Sequence, residues 1–474
     1  MDILKTLLNL AELIAKAFKW IMDGDTKRKV WAIAAALLIA AAVGLTLTPQ
    51  SSRDLAYKAA WPWMAAFISN QTILLSDNQA ALIDRRTAML TQNVRQELLD
   101  TLDPKRVLND KASRYTAWVL AENAVALLMT DEQASLPAKQ AREIETFVRQ
   151  PRQQLAECDC WNEFIDNKAA PQHVAISAWI LFALAKIGQQ PSAGELQFLL
   201  ETQDGAGGWN MFNVPYGITA DPGLQRPQGS SFATAWVMLA MAEMLRNTLI
   251  SDPAQSTEIA RRGRHAVDCL LRDRSSREPD SQLWSLYPGW KGSTDLSMGT
   301  SGLVIFALHR YLANFNAADL SVYAKELAVA DRNFLAALPR SFDRVPKPND
   351  GDNFGYALAY EPVTSHGRIA PIASGKPSAT KGSAAPVSAF VGDSAGSVRI
   401  DSVTSLNLPW MIIGAQAAFA SGDYLARVQT LQFIDLALRR FDEGVDSALQ
   451  QHYWMAPELL MSLRYLREPN SIQR

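Results

Sequence analysis

Along most of the chain apolar residues recur at the helical steps of three and four, and the alternation expected of strands is confined to short hairpins within 343–404. Six runs are apolar nearly all round: TAWVLAENAVALL from Thr116, SAWILFALAKI from Ser177, TAWVMLAMAEML from Thr234, SGLVIFALHRYL from Ser301, LPWMIIGAQAAFA from Leu408 and HYWMAPELLMSLRYL from His452. A helix of that kind has no face to offer to water, so each is expected inside a cover of other helices. The first three open alike, with Thr116-Ala117-Trp118, Ser177-Ala178-Trp179 and Thr234-Ala235-Trp236 at spacings of 61 and 57 residues, which marks an internal repeat.

Each of the first five runs is followed by a more amphipathic one, approximately over 139–156, 192–203, 255–272, 319–338 and 424–441. Six inner helices alternating with outer ones predict an all-α chain whose main domain, 106–474, is a closed (α/α)6 toroid, with 49–105 as linker and extra helices that supply the last outer positions. Connections from inner to outer helices are short, as at Gly188–Ala193 and Ser421–Asp423, whereas those from outer to inner are long, near 204–230, 273–298 and 343–404. Helix directions alternate, so the long connections gather on one rim, which is where sites are usually built. Within the longest, residues 373–397 are low in complexity and are expected to form a mobile loop or a flexible lid.

The N-terminus is a separate device. Val30 to Leu47 are 18 uncharged residues, seven of them Ala, bounded by Lys27, Arg28 and Lys29 and by Thr48 and Pro49. That length and those flanks predict a membrane span over 30–48 rather than a signal peptide, whose apolar region starts nearer the first residue. Ahead of it, Leu4, Leu8, Ala11, Ala15, Phe18 and Met22 share one helical face, while Lys5, Asn9, Glu12, Lys16 and Lys19 take the other. Residues 1–29 are therefore expected as an amphipathic helix that lies on the membrane surface or packs on a partner helix. Six basic residues precede the span and only Arg53 and Lys58 follow closely, which places the N-terminus in the cytoplasm and the main domain outside. In a bacterium this is a single-pass inner-membrane protein with a periplasmic domain.

Charge removes one class of partner. With 46 Lys+Arg against 48 Asp+Glu, and no basic run longer than Lys27-Arg28-Lys29, the electrostatic footprint of nucleic-acid binding is missing. Three cysteines and five histidines exclude a disulfide scaffold, a four-cysteine zinc module and an iron–sulfur cluster, and no cofactor is expected. Cys158 and Cys160, one residue apart, would make a strained bridge with each other.

The segment Gly194 to Trp209, GELQFLLETQDGAGGW, carries Phe198, Leu199, Gln203, Gly207 and Trp209. A Gln there can tie down backbone groups at a helix end, the Gly turns the chain, and the Trp packs against the helix just left. Looser copies end at Trp161 and at Trp284. This pattern resembles the repeat of the terpenoid cyclase and protein prenyltransferase toroids, and a similar turn occurs in the thioester domains of the alpha-2-macroglobulins. The resemblance implies the toroid over about 110–470, with one repeat as a specific match. It does not bring the chemistry: where those cyclases carry an acidic cluster ahead of an inner helix, this chain has Ser230-Ser231-Phe232-Ala233, His173-Val174-Ala175-Ile176 and Ala112-Ser113-Arg114-Tyr115. The zinc-binding trio of the prenyltransferases and the Cys-Gly-Glu-Gln thioester motif are absent as well.

On the long-loop rim stand Asp221, Arg226, Lys291, Asp295, Asp350, Asp352, His366 and Asp401, with His452 near the sixth inner helix. Paired carboxylates flanking a sugar hydrolyse glycosides in many α/α barrels, so Asp295 and Asp401 form the candidate catalytic pair, against the alternative that they cap helices or face water. His173 and His452 are the candidate bases, His173 having a structural hydrogen-bonding role as its alternative. Trp118, Trp179 and Trp236 either line a pocket for an apolar or sugar ligand or belong to the core. Asn349-Asp350-Gly351-Asp352-Asn353 resembles a fragment of a calcium loop or a plain turn, and no metal site is assigned. Two functions follow: a membrane-anchored binding or scaffold component that recognises a protein, glycan or lipid on its rim, with partner subunits assembling through the N-terminal helices, or an envelope enzyme of glycosidase, lyase or lipid-modifying type.

Overall fold

The computed structural model describes residues 50–102, 117–128, 160–161, 173–210, 229–272, 283–284, 295–296, 298–315, 317–339, 344–346, 354–356, 361–362, 407–451 and 455–468, with a few positions between 142 and 149. The chain is all-α. Among the described residues there are twelve α-helices: α1 (Gln50–Ile68), α2 (Asp77–Leu102), α3 (Ala117–Leu128), α4 (Val174–Lys186), α5 (Ala193–Glu201), α6 (Ser231–Arg246), α7 (Pro253–Arg272), α8 (Met298–Leu312), α9 (Ala317–Ala337), α10 (Asn407–Ala418), α11 (Tyr424–Gln451) and α12 (Met455–Arg467). Strand pairing is limited to two antiparallel ladders, Asp295–Leu296 with Glu361–Pro362 and Arg344–Pro346 with Phe354–Tyr356, the second being a hairpin in the region where the sequence predicts hairpins. No described helix is long and apolar enough to cross a membrane, and the expected span and amphipathic helix lie outside the described residues.

The chain divides at Ser69 into two compact units. The described part of the first is α1, in which the Tyr57 and Trp61 rings lie 5.7 Å apart. The second contains the remaining helices, so α2 belongs to it although it precedes residue 106.

In the second unit, α3 packs on α4, α4 on α6, α6 on α8, α8 on α10, α10 on α12, and α12 back on α3. These are the six all-apolar runs, and their contacts close into a cycle. Twelve of the 13 residues of α4 and 14 of the 15 of α8 are buried, as a helix covered on every side must be. The remaining long helices lie against this cycle: α7 on α6 and α8, α9 on α8 and α10, α11 on α10 and α12, and α2 on α12, α3 and α11. The closest approach joins α8 to α10. A Cβ on Gly302 would stand 2.2 Å from the Trp410 carbonyl oxygen, and one on Gly414 would stand 2.5 Å from the Gly302 Cα, so two glycines let these helices touch backbone to backbone.

One hydrogen-bond device recurs at the start of the inner helices. The Trp161 N–H donates to Ser177 Oγ at 3.0 Å, the Trp209 N–H to Thr234 Oγ1 at 3.0 Å and the Trp284 N–H to Ser301 Oγ at 3.1 Å. In each case the hydroxyl belongs to the residue that opens the inner-helix motif. The indole N–H of Trp209 donates to the Leu199 carbonyl at 2.7 Å and that of Trp284 to the Leu270 carbonyl at 2.8 Å, closing the end of the helix just left. Gln203 plays the part expected of it, donating through Nε2 to the carbonyls of Gly207 (2.8 Å) and Arg262 (3.0 Å). Gly207 has φ +99 and a Cβ there would meet the His265 carbonyl oxygen at 2.6 Å, so the turn requires glycine twice over. Cys160 is disulfide-bonded, Cys269 is free and buried, and Cys158 lies outside the described residues.

Candidate functional site

The centre of the helical cycle is aromatic. Trp179 from α4, Trp236 from α6 and Trp410 from α10 pack on one another, with ring centroids 3.7 Å (Trp179–Trp236), 5.0 Å (Trp236–Trp410) and 6.4 Å (Trp179–Trp410) apart. Each is about 3% exposed. Phe182, Phe232 and Phe306 extend the cluster from α4, α6 and α8. Trp179 and Trp236, each the sixth residue of its inner helix, thus fall at the middle of the cycle, which is why the tryptophan recurs at the spacing seen in the sequence.

Two carboxyl groups share this apolar interior. Glu122 projects from α3 and Glu458 from α12, the first and last members of the cycle, and both are buried. The Trp410 indole N–H donates to Glu458 Oε1 at 2.9 Å. The Trp179 indole lies close enough to Glu122 to favour its ionised form, yet it meets no hydrogen-bond geometry, and Glu122 Oε2 and Trp179 Nε1 are both without a partner. Loss of water pushes Glu122 far above the usual carboxylate range, and the neighbouring Glu458 carboxyl adds to the effect. Loss of water likewise pushes Glu458 up to about 8, against the opposing bond from Trp410. No lysine, arginine or histidine among the described residues acts on either group. Burial and mutual repulsion therefore both favour the protonated forms of the pair.

About two turns further along α4 a charged cluster offers the contrast. Glu243 on α6 accepts from Lys186 Nζ at 2.9 Å, from Asn247 Nδ2 at 3.1 Å and from Arg310 at 3.1 Å. Burial resists its ionisation, but Lys186 and Arg310 outweigh that and hold its carboxyl below the usual range. Burial lowers Lys186 to about 8, with Glu243 opposing the change and Arg310 adding to it. Here cations beside a buried acid favour its ionised form; at the centre, where no cation among the described residues stands beside the two acids, burial favours their protonated form.

Of the sequence-expected site residues, the structure brings Trp179 and Trp236 together at the centre. His173 is the N-cap of α4: its Nδ1 accepts from the Ile176 N–H at 3.3 Å, its own N–H donates to the Trp161 carbonyl at 3.0 Å, and burial lowers its imidazole to about 4. These are structural hydrogen bonds. Asp295 lies in the short ladder, its backbone opposite Pro362. Trp118 sits in the first turn of α3, at the motif position that Trp179 and Trp236 hold in their repeats. Asp401, His452, the Asn349–Asn353 run and the rest of the rim set lie outside the described residues. No group of three metal-ligating side chains occurs among the described residues. Glu122 and Glu458 are the residues that sequence reasoning passes over. A signal was available, since each is a lone acid in an otherwise apolar inner run, AWVLAENAVALL and MAPELLMSLRYLR.

Chemically, the centre can hold protons and pack rings. Its tryptophans fill it, and its acids are sealed from water. No protein-family model matches the chain, and no curated protein is similar to it.

Proposed function

We propose that this chain is a membrane-tethered binding or scaffold component of the cell envelope, built on an (α/α)6 toroid that resembles those of the terpenoid cyclases and protein prenyltransferases without their active sites. One observation carries the reading. The middle of the helical cycle, where a toroid enzyme would hold its substrate, is occupied by Trp179, Trp236 and Trp410 packed against each other. Binding then falls to the rim formed by the long connections, where a protein, glycan or lipid is recognised. In this reading residues 30–48 cross the inner membrane, residues 1–29 lie on its cytoplasmic side and meet partner subunits, and the main domain is periplasmic.

The full-length chain in detergent, incubated with envelope glycans and with isoprenoid lipids, tests this. Saturable retention of one ligand class without its consumption is the expected result. Conversion of either class to product, lost on substitution of Asp295 and Asp401, would replace the scaffold with the envelope-enzyme reading.

A further inference from the structure

The helical cycle has one contact that chain connectivity does not assist. Helix α12 meets α3 after the whole intervening chain, and this is the sparsest of the six contacts between neighbouring inner helices. Glu122 and Glu458 stand on these two helices, one on each side of that seam. Both are fully enclosed, and each has an indole from the adjacent inner helix beside it, Trp179 for Glu122 and Trp410 for Glu458. Among the elements packed on α3 and α12, α4 presents Trp179 and α10 presents Trp410, while the described side chains of α2 and α11 include no ionisable group that acts on either carboxyl. Among the described residues neither acid therefore has a cation to balance it.

We propose that Glu122 and Glu458 form a proton-held clasp, which keeps the α3–α12 seam closed while both carboxyls are protonated and loosens it when they ionise. The physical argument needs only placement. One carboxylate in this interior is costly, and a second beside it adds repulsion to lost hydration. Glu122 Oε2 has no hydrogen-bond partner, and the donor beside it is the single indole N–H of Trp179, likewise unpartnered. One N–H does not replace the hydration of a carboxylate, so loss of the protons favours entry of water along the seam. The protons leave in coupled steps that belong to the pair, beginning near the value of about 8 at Glu458. The device is independent of what the rim binds, so failure of the scaffold reading would leave it standing.

Hydrogen exchange on the full-length chain in detergent, followed upward from neutral pH, reads the seam directly. Amides of α3 and α12 should lose protection by about tenfold or more relative to those of α6 and α8. The double variant Glu122→Gln, Glu458→Gln, neutral at every pH, should keep its protection throughout. Equal loss in the double variant, or no selective loss in the unmodified chain, overturns the proposal. Should the double variant fail to fold, difference infrared spectra of the unmodified chain keep the idea testable. The protonated-carboxyl stretch should be present at neutral pH and disappear with the same midpoint as the exchange transition; its absence at neutral pH refutes the clasp. Trp410→Phe removes the bond that favours ionised Glu458 and should move the midpoint upward, whereas a merely structural role for that bond would leave it in place.

Discussion

At the scale of single residues, the tryptophans of the inner helices are packing elements. Truncation of Trp236, which packs on Trp179 and Trp410, removes a buried ring from the centre of the cycle. Trp236→Ala should lower the stability of the second unit by about 3–5 kcal/mol, read by thermal or denaturant unfolding. His173 gives a second single-residue test. Its Nδ1 caps α4, and asparagine caps as well, so His173→Asn should change stability at neutral pH by under about 1 kcal/mol. Because its imidazole titrates near 4 when folded and near its ordinary 6.5 when unfolded, the folded state binds fewer protons between those values. The unmodified chain should therefore lose stability as pH falls through that window, and the asparagine variant should lose less. Loss of cellular function in a stably folded His173→Asn chain would return the residue to the list of candidate bases.

At the scale of elements, the hydroxyl that opens an inner helix ties down the tryptophan of the preceding turn, and it does so three times, at Ser177, Thr234 and Ser301. Ser177→Ala, Thr234→Val and Ser301→Ala each leave a buried backbone N–H without an acceptor. Each should cost about 1–3 kcal/mol, measured by unfolding, and the three costs should add, because the sites belong to separate turns. This repeat is what the sequence displays most openly. A Ser or Thr, a small residue and a bulky apolar one recur because each repeat must solve the same problem of leaving an outer helix, turning and entering the interior. Three outer helices were legible for the same reason, since an amphipathic period announces a half-covered helix and 192–203, 255–272 and 319–338 fall close to α5, α7 and α9; α11 starts at 424 as expected but runs on to 451 rather than 441, and 139–156 lies almost wholly outside the described residues. Each acid stood out as a lone carboxyl in its inner run, but their pairing was not legible. A glutamate in a helix of Ala and Leu reads as a solvated position until the partner helix is known, and here that helix comes from the far end of the chain. The catalytic pair Asp295 and Asp401 rested on loop position alone, which fixes a rim but not the separation of two side chains.

At the scale of the whole molecule, the buried ionisable groups predict a pH profile that no single one of them would give. Glu122 and Glu458 hold protons in the folded state that the unfolded chain has already released above its ordinary carboxylate pKa, so their contribution to stability declines as pH rises toward about 8. His173 acts in the opposite sense, favouring folding as pH rises from about 4 to its ordinary value of 6.5. Between the ordinary carboxylate value of 4.5 and 6.5 the folded chain holds two extra protons on the acids and lacks one on His173, so the opposition only halves the decline. Between 6.5 and 8 only the acids remain, and each proton retained over that interval amounts to a fall of about 2 kcal/mol. Lys186 enters above about 8, where the unfolded chain keeps a proton that the folded chain has lost, and it slows any further decline. The second unit should accordingly be most stable in mildly acidic solution and should weaken between neutrality and mild alkali, measured as its unfolding temperature in a series of buffers at constant ionic strength. Glu122→Gln with Glu458→Gln should flatten the profile between 6.5 and 8 while leaving the acid limb that belongs to His173. A profile that still falls over that interval in the double variant would assign the slope to other groups and leave the two acids as packing residues.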